Sequence, residues 1–279
     1  LLLDLLVRHA RDEGRPLRVA WPESSVRHWM SAMGFFADVK AEPVPGSAER
    51  PARAGQDPAS TGLNLLVVSP IAAIEREDDV SRLVGAFDER LSDRFPLDES
   101  PRRRFLRILL ELFQNIPQHA NATGDVDPHG LAALYDDGDR VELAVADKGI
   151  GLARSLVLRG DAPGDQLSDA DALRAVVFDG KSRFRDPGRG HELERIFRLV
   201  RSWEGTILVR SGTALLYQSD LGGDVVCVAP FPGVQIALSI PRAVFGIGEP
   251  APLAPDSAHG ALDEAVAPDA DSGFNEGDE

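Results

Sequence analysis

A carboxylate and an amide stand four residues apart in the apolar stretch LLELFQNIPQHA, residues 109–120. Helical spacing puts Glu111 and Asn115 on one face, one turn from each other. Packing economy gives no reason for two polar groups there; a ligand would. Further along, VADKGIGL (145–152) ends an apolar run in Asp147 and follows it with Gly149, Ile150 and Gly151. The aspartate is acceptor-only once ionised and can take a hydrogen bond from an amino group. The glycines permit unusual backbone angles, or let a planar ligand lie against the main chain. In DPGRGHEL (186–193), Gly188 and Gly190 flank Arg189 just before a helix. Backbone N–H groups bared by small residues at a helix start attract anions. Each stretch also has an ordinary reading: a structural acid, a plain turn, a glycine-rich loop.

The elements that must position these residues follow from periodicity. LLLDLLVRHA, LRVAW and SVRHWMSAMGFF read as helix, strand and helix, a small α/β module over 1–40. Residues 41–62 are rich in Pro, Gly, Ala and Ser and read as a linker. LNLLVVSP, in the 63–94 segment, reads as a strand stopped by Pro70, and DDVSRLVGAFDERLSDRF as an amphipathic helix with acids at its start. The helix bearing Glu111 and Asn115 starts near Ser100. Pro117 lacks the N–H that would reach the Phe113 carbonyl, which predicts a kink or an end there. GLAALYDDGDRVELAVAD is a hairpin turning on Asp136-Asp137-Gly138-Asp139. Helix, loop, the short helix DADALRAVVF, a second loop and the helix HELERIFRLVRSW follow. GTILVRSG, ALLYQ, DVVCVAP and VQIALSIP read as four strands separated by turns. This order suggests a sheet covered by helices on one face, an α+β sandwich.

Composition narrows the functions. The net charge is −15, and residues 246–279 carry nine of the acids and no Lys or Arg, leaving −6 for the rest. A broad nucleic-acid surface is not expected from so acidic a chain. That final segment, poor in large apolar groups, reads as a disordered acidic tail. No apolar run of about 18 residues exists, so no membrane span is expected. The opening residues have neither the length nor the flanks of a secretory signal. One cysteine, Cys227, leaves no disulfide framework within one chain, which fits a cytoplasmic location. The histidines at 9, 28, 129 and 259 match no zinc spacing.

A helix with Glu-x-x-x-Asn, a strand ending Asp-x-Gly-x-Gly and a Gly-x-Gly helix start, in this order, resemble the GHKL superfamily of Bergerat-fold ATPases. The wording is closest to a bacterial histidine-kinase-like ATP-binding subfamily. LLELFQNIPQHA is similar to its N-box, VADKGIGLARSL to its first glycine box, GKSRFRDPGRGHELERI to its lid and second glycine box, and FPGVQIALSIP to its closing strand. HWMSAMGFF (28–36) resembles the short, STAS-like module found ahead of that ATPase. The resemblance implies a two-layer α/β sandwich of Bergerat type with a mixed, mainly antiparallel sheet, spanning 95–245.

It also implies roles. Asn115 would hold Mg²⁺ through its side-chain oxygen, and Glu111 would orient or deprotonate the water attacking a γ-phosphate. Asp147 would accept from the adenine amino group; Gly149, Ile150 and Gly151 would line the base pocket. Gly188 and Gly190 would offer N–H groups to phosphate, and Lys181, Arg183 and Arg189 would bring positive charge from the lid. ATP and Mg²⁺ are the implied cofactors. Two positions depart from the pattern. Glu192 stands where the second glycine box has a glycine, and Val234 follows Gly233 where threonine is usual. A carboxylate at 192 opposes an incoming anion and predicts weakened ATP binding, with ADP tolerated better.

Three functions compete. One is an ATP-binding, slowly hydrolysing regulatory switch. Another is a histidine or serine protein kinase acting on a protein partner in signalling; a histidine kinase needs an exposed phosphoacceptor, for which His9 is the one candidate on an early helix. The third is a degenerate interaction module without catalysis. Transfer of label from ATP separates the second from the first, and calorimetry with ATP and Mg²⁺ separates the third from both.

Overall fold

The computed structural model describes residues 10, 14, 18–19, 42–43, 66–94, 99–119, 129–158, 167–181, 191–219 and 222–246. The chain divides into two units, Leu1–Glu249 and Pro250–Glu279. All of the second unit lies outside the described residues, as does the acidic tail from 247 onward. So does nearly all of the 1–40 module and the linker. From that region come Ala10, Gly14 and the strands β1 (Arg18–Val19) and β2 (Glu42–Pro43), which pair in parallel. Glu42–Pro43 falls where the composition reads as linker.

Among the described residues the main sheet has five strands: β3 (Leu66–Ile74), β4 (Gly130–Asp136), β5 (Arg140–Asp147), β6 (Thr206–Ser219) and β7 (Gly222–Pro241). Their order is β3-β4-β5-β7-β6. Every neighbouring pair is antiparallel, so the expectation of a mixed sheet is corrected: this sheet is antiparallel throughout. The β4–β5 hairpin accounts for one of those pairings, since a tight turn reverses the chain. The β4–β5 turn is closed by its own aspartates: Asp136 Oδ1 accepts from the Gly138 N–H at 2.9 Å and Asp137 Oδ1 from the Arg140 N–H at 2.7 Å.

Two further expectations change. Pro70 does not stop its strand, because β3 runs on to Ile74 with register shifts on both sides of Ser69. An edge strand accommodates proline, whose missing N–H can fall where no neighbour needs it. The four short strands expected after 205 are two long ones. Gly212, Pro232 and Gly233 are absorbed as irregularities in the β6–β7 ladder, where Ser211 pairs with Val234 and Gly212 with Phe231. A glycine read as a turn from sequence can equally be a bulge.

Among the described residues are helices α1 (Glu77–Arg94), α2 (Glu99–His119), α3 (Gly151–Val157), α4 (Asp169–Val177) and α5 (Glu192–Ser202) and a 3-10 turn, Arg242–Phe245. In α2, Phe105, Ile108, Leu109, Leu112, Phe113 and Ile116 are buried, the i, i+3, i+4 stripe of a core-facing helix. Phe113 meets Phe87 of α1 edge to face, with ring centroids 5.6 Å apart. Pro117 lies inside α2, which continues to His119; so close to the helix end, the proline forfeits one hydrogen bond without terminating the helix. The same core takes alternate residues of the strands, Leu134, Leu143, Val145, Ile236 and Leu238 among them. On the other sheet face Leu131, Ala146 and Phe231 form a small separate cluster. The architecture is α+β, compatible with two layers. Among the described residues no helix is long and apolar enough to cross a membrane.

Candidate functional site

A cleft with about 790 Å³ of open space, its mouth included, lies between the strands and helices of this core. Val145 of β5 and Ile236 of β7 line it from the sheet, and Leu112 and Ile116 from α2. The stripe that buries those two α2 residues carries Asn115 with it, and Asn115 lines the cleft as well. Glu111 behaves differently. It is not among the lining residues; its Oε1 accepts from Arg107 Nε at 2.9 Å, and only 14% of its side chain is exposed. Of the two polar groups on this helix face, one opens to the cleft and the other is held by its own helix.

The closed corner of the cleft is built where β5 ends. Asp147 Oδ1 accepts from the Gly149 N–H at 2.7 Å, and the Val234 N–H also donates to its carboxylate. Burial pushes the Asp147 carboxyl up to about 6, against those two backbone hydrogen bonds, which favour the ionised form. Gly233 packs directly on this residue. A Cβ there would sit 2.2 Å from the Asp147 carbonyl oxygen, and its φ of +77° is the left-handed conformation that glycine tolerates best. Gln235 Nε2 donates to the same carbonyl at 3.3 Å.

Gly151 starts α3 with φ +75°, and a Cβ on it would lie 3.1 Å from Ser211 Oγ. That buried hydroxyl accepts from the Leu152 N–H at 2.9 Å. The residue before α3, Ile150, supplies no capping side chain. A serine from β6 therefore satisfies one of the amides that a helix start leaves open. Ile150 and Gly151 both line the cleft; Gly149 is buried beside it without lining it.

Residues beside α4 and α5 line the cleft as well. Lys181 follows α4, its N–H donating to the Ala175 carbonyl at 2.9 Å, with Nζ 4.0 Å from Asp179. Glu192 is the first residue of α5, and its Oε1 lies 3.8 Å from Arg195. Both line the cleft. Glu194, in the same first turn, does not; its carboxylate meets His191 Nδ1 at 3.2 Å and also Arg198. Arg183, Gly188, Arg189 and Gly190 lie outside the described residues.

Of the residues selected from sequence, Asn115, Asp147, Ile150, Gly151 and Lys181 come together. Ser211, Gly233 and Gln235 support the corner and were not selected. Nothing local marks Ser211. Gly233 drew notice in sequence only for the valine that follows it. Among the described residues no group of three or more His, Cys, Asp or Glu could hold a metal. No family model matches this chain, and no curated protein matches it.

Proposed function

We propose that the cleft binds an adenine nucleotide and that this region is a Bergerat-type domain of GHKL kind. One observation carries the reading: residues from three motifs far apart in sequence, Asn115 on α2, Asp147 with Ile150 and Gly151 between β5 and α3, and Lys181 after α4, line a single cleft. The chemistry fits as well. The apolar side chains suit a flat base. Asp147, fixed by the Gly149 and Val234 amides, presents an acceptor to the adenine amino group, whereas guanine offers a carbonyl at the equivalent position. Asn115 supplies an oxygen for magnesium, which when bound would neutralise phosphate charge. Lys181 adds a cation to the same lining.

Binding without fast turnover is the form of this reading that Glu111 favours, since its carboxylate is engaged by Arg107 and does not line the cleft. A nucleotide-sensing switch needs no more than that. Protein kinase activity, with a partner as acceptor, requires groups beyond those described.

Thermal unfolding with and without ATP and magnesium tests the proposal. A ligand at 100 times its Kd adds about 2.7 kcal/mol to stability, so a clear rise in Tm is expected with ATP and a smaller one with GTP. No shift with any adenine nucleotide at millimolar concentration would refute it and leave the non-catalytic interaction module as the better account.

A further inference from the structure

The two sides of the cleft differ in what they offer a ligand, and Glu192 is the residue that makes the difference chemical. Asp147 accepts hydrogen bonds in a closed corner. The polar groups lining the same cleft also include Lys181 and Glu192, one cation and one carboxylate. A helix start ordinarily attracts anions through its open N–H groups. The first turn of α5 already carries Glu192 and Glu194, whose carboxylates satisfy the helix dipole themselves. Both are paired, Glu194 with His191 and Arg198 and Glu192 with Arg195, but of the two it is Glu192 that lines the cleft.

We propose that Glu192 selects for the shorter phosphate chain, so that the cleft prefers a nucleoside diphosphate to a triphosphate; this rests on the adenine-nucleotide reading above. The reason is charge. With a base held at Asp147 and Lys181 and Glu192 lining the same cleft, phosphates drawn to the lysine would bring more negative charge toward the carboxylate with each one added. Like charges about 6 Å apart repel appreciably at the dielectric typical of protein surfaces. Solvent and the Arg195 pair reduce this, leaving roughly a tenfold effect. A glycine at 192 would remove both the charge and the bulk.

Calorimetry with adenosine, ADP and ATP, on the full chain and with magnesium present, provides the test. Wild type is expected to bind ADP more tightly than ATP. Glu192→Gln, which keeps the size and removes the charge, should tighten ATP about tenfold relative to ADP and leave adenosine unchanged. Glu194→Gln should shift that ratio much less. A salt titration should shrink the wild-type preference, as expected of a charge effect. Three results overturn the proposal while leaving nucleotide binding intact: an unchanged ATP-to-ADP ratio in Glu192→Gln, an equal shift from Glu194→Gln, or ATP binding weakened by Glu192→Gln, which would assign the carboxylate to the metal. If adenosine, ADP and ATP all fail to bind wild type and both variants, the adenine-nucleotide reading itself falls, and this proposal with it.

Discussion

The Asp147 corner and the Lys181–Glu192 side face the same space but are built on opposite principles. The corner is backbone work: the β5 end, the α3 start and the β6–β7 irregularity lock together through Asp147, Gly151, Ser211 and Gly233, with hydrogen bonds of 2.7 Å and 2.9 Å inside it. The other side is side-chain work, with a lysine 60% exposed and a glutamate 26% exposed on helix ends. Changing the corner should damage fold and ligand binding together. Changing the open side should alter which ligand is preferred at little structural cost.

The largest effect expected is from Gly233→Ala. The added carbon meets the Asp147 carbonyl at 2.2 Å in a left-handed backbone, so stability should fall by about 2–4 kcal/mol with loss of nucleotide binding. A denaturant titration measures it; a change under about 0.5 kcal/mol, the range of neutral surface substitutions, would mean that the corner is not rigid.

Asp147→Asn comes next. Replacing an ionised acceptor should weaken ATP by roughly 1.5–3 kcal/mol and narrow the margin over GTP, both readable by calorimetry. The same variant sharpens a pH argument. The folded carboxyl is raised from 3.8 to about 6, so the folded chain holds this proton more tightly than the unfolded one. Its contribution to stability is greatest below about pH 4 and is lost as pH rises through 6. Stability of Asp147→Asn relative to wild type should therefore increase between pH 4 and 6 and level off above. Ligand binding runs the other way: an adenine amino donor prefers the ionised form, so wild-type affinity should rise about tenfold from pH 5 to pH 7, and the variant should lack that slope. A flat wild-type profile would place Asp147 outside the contact.

The smallest effect is expected from Asn115→Ala. Asn115 is half-buried on α2 and lines the cleft without supporting the corner. The enhancement of nucleotide affinity by magnesium should drop severalfold, with magnesium-free affinity and Tm nearly unchanged. An intact magnesium enhancement removes Asn115 from the metal.

What was legible in the sequence was what repeats along the chain. The apolar stripe of α2, the aspartate-rich turn between β4 and β5, and the acidic start of α1 follow from spacing and local hydrogen bonding, and each stands where it was expected. The motif residues stood out by type and spacing, and Asn115, Asp147, Ile150, Gly151 and Lys181 line one cleft. The continuation of β3 through Pro70, and of β6 and β7 through Gly212 and Gly233, were not. Whether a glycine turns the chain or kinks a strand depends on which neighbour lies alongside.

Sequence by itself determined which residues had the chemistry: an amide and an acid one turn apart, an aspartate before glycines, a glutamate where a glycine was expected. Only the tertiary structure decided which of them share a space. Asn115 faces the cleft while Glu111 is taken by Arg107; Ser211 caps a helix some sixty residues before it; Glu192 turns to the cleft while Glu194 turns to His191. Helical period places two residues on one side of a helix. Which of them meets a ligand depends on the long-range packing of strand ends and helix ends, and no local spacing encodes that.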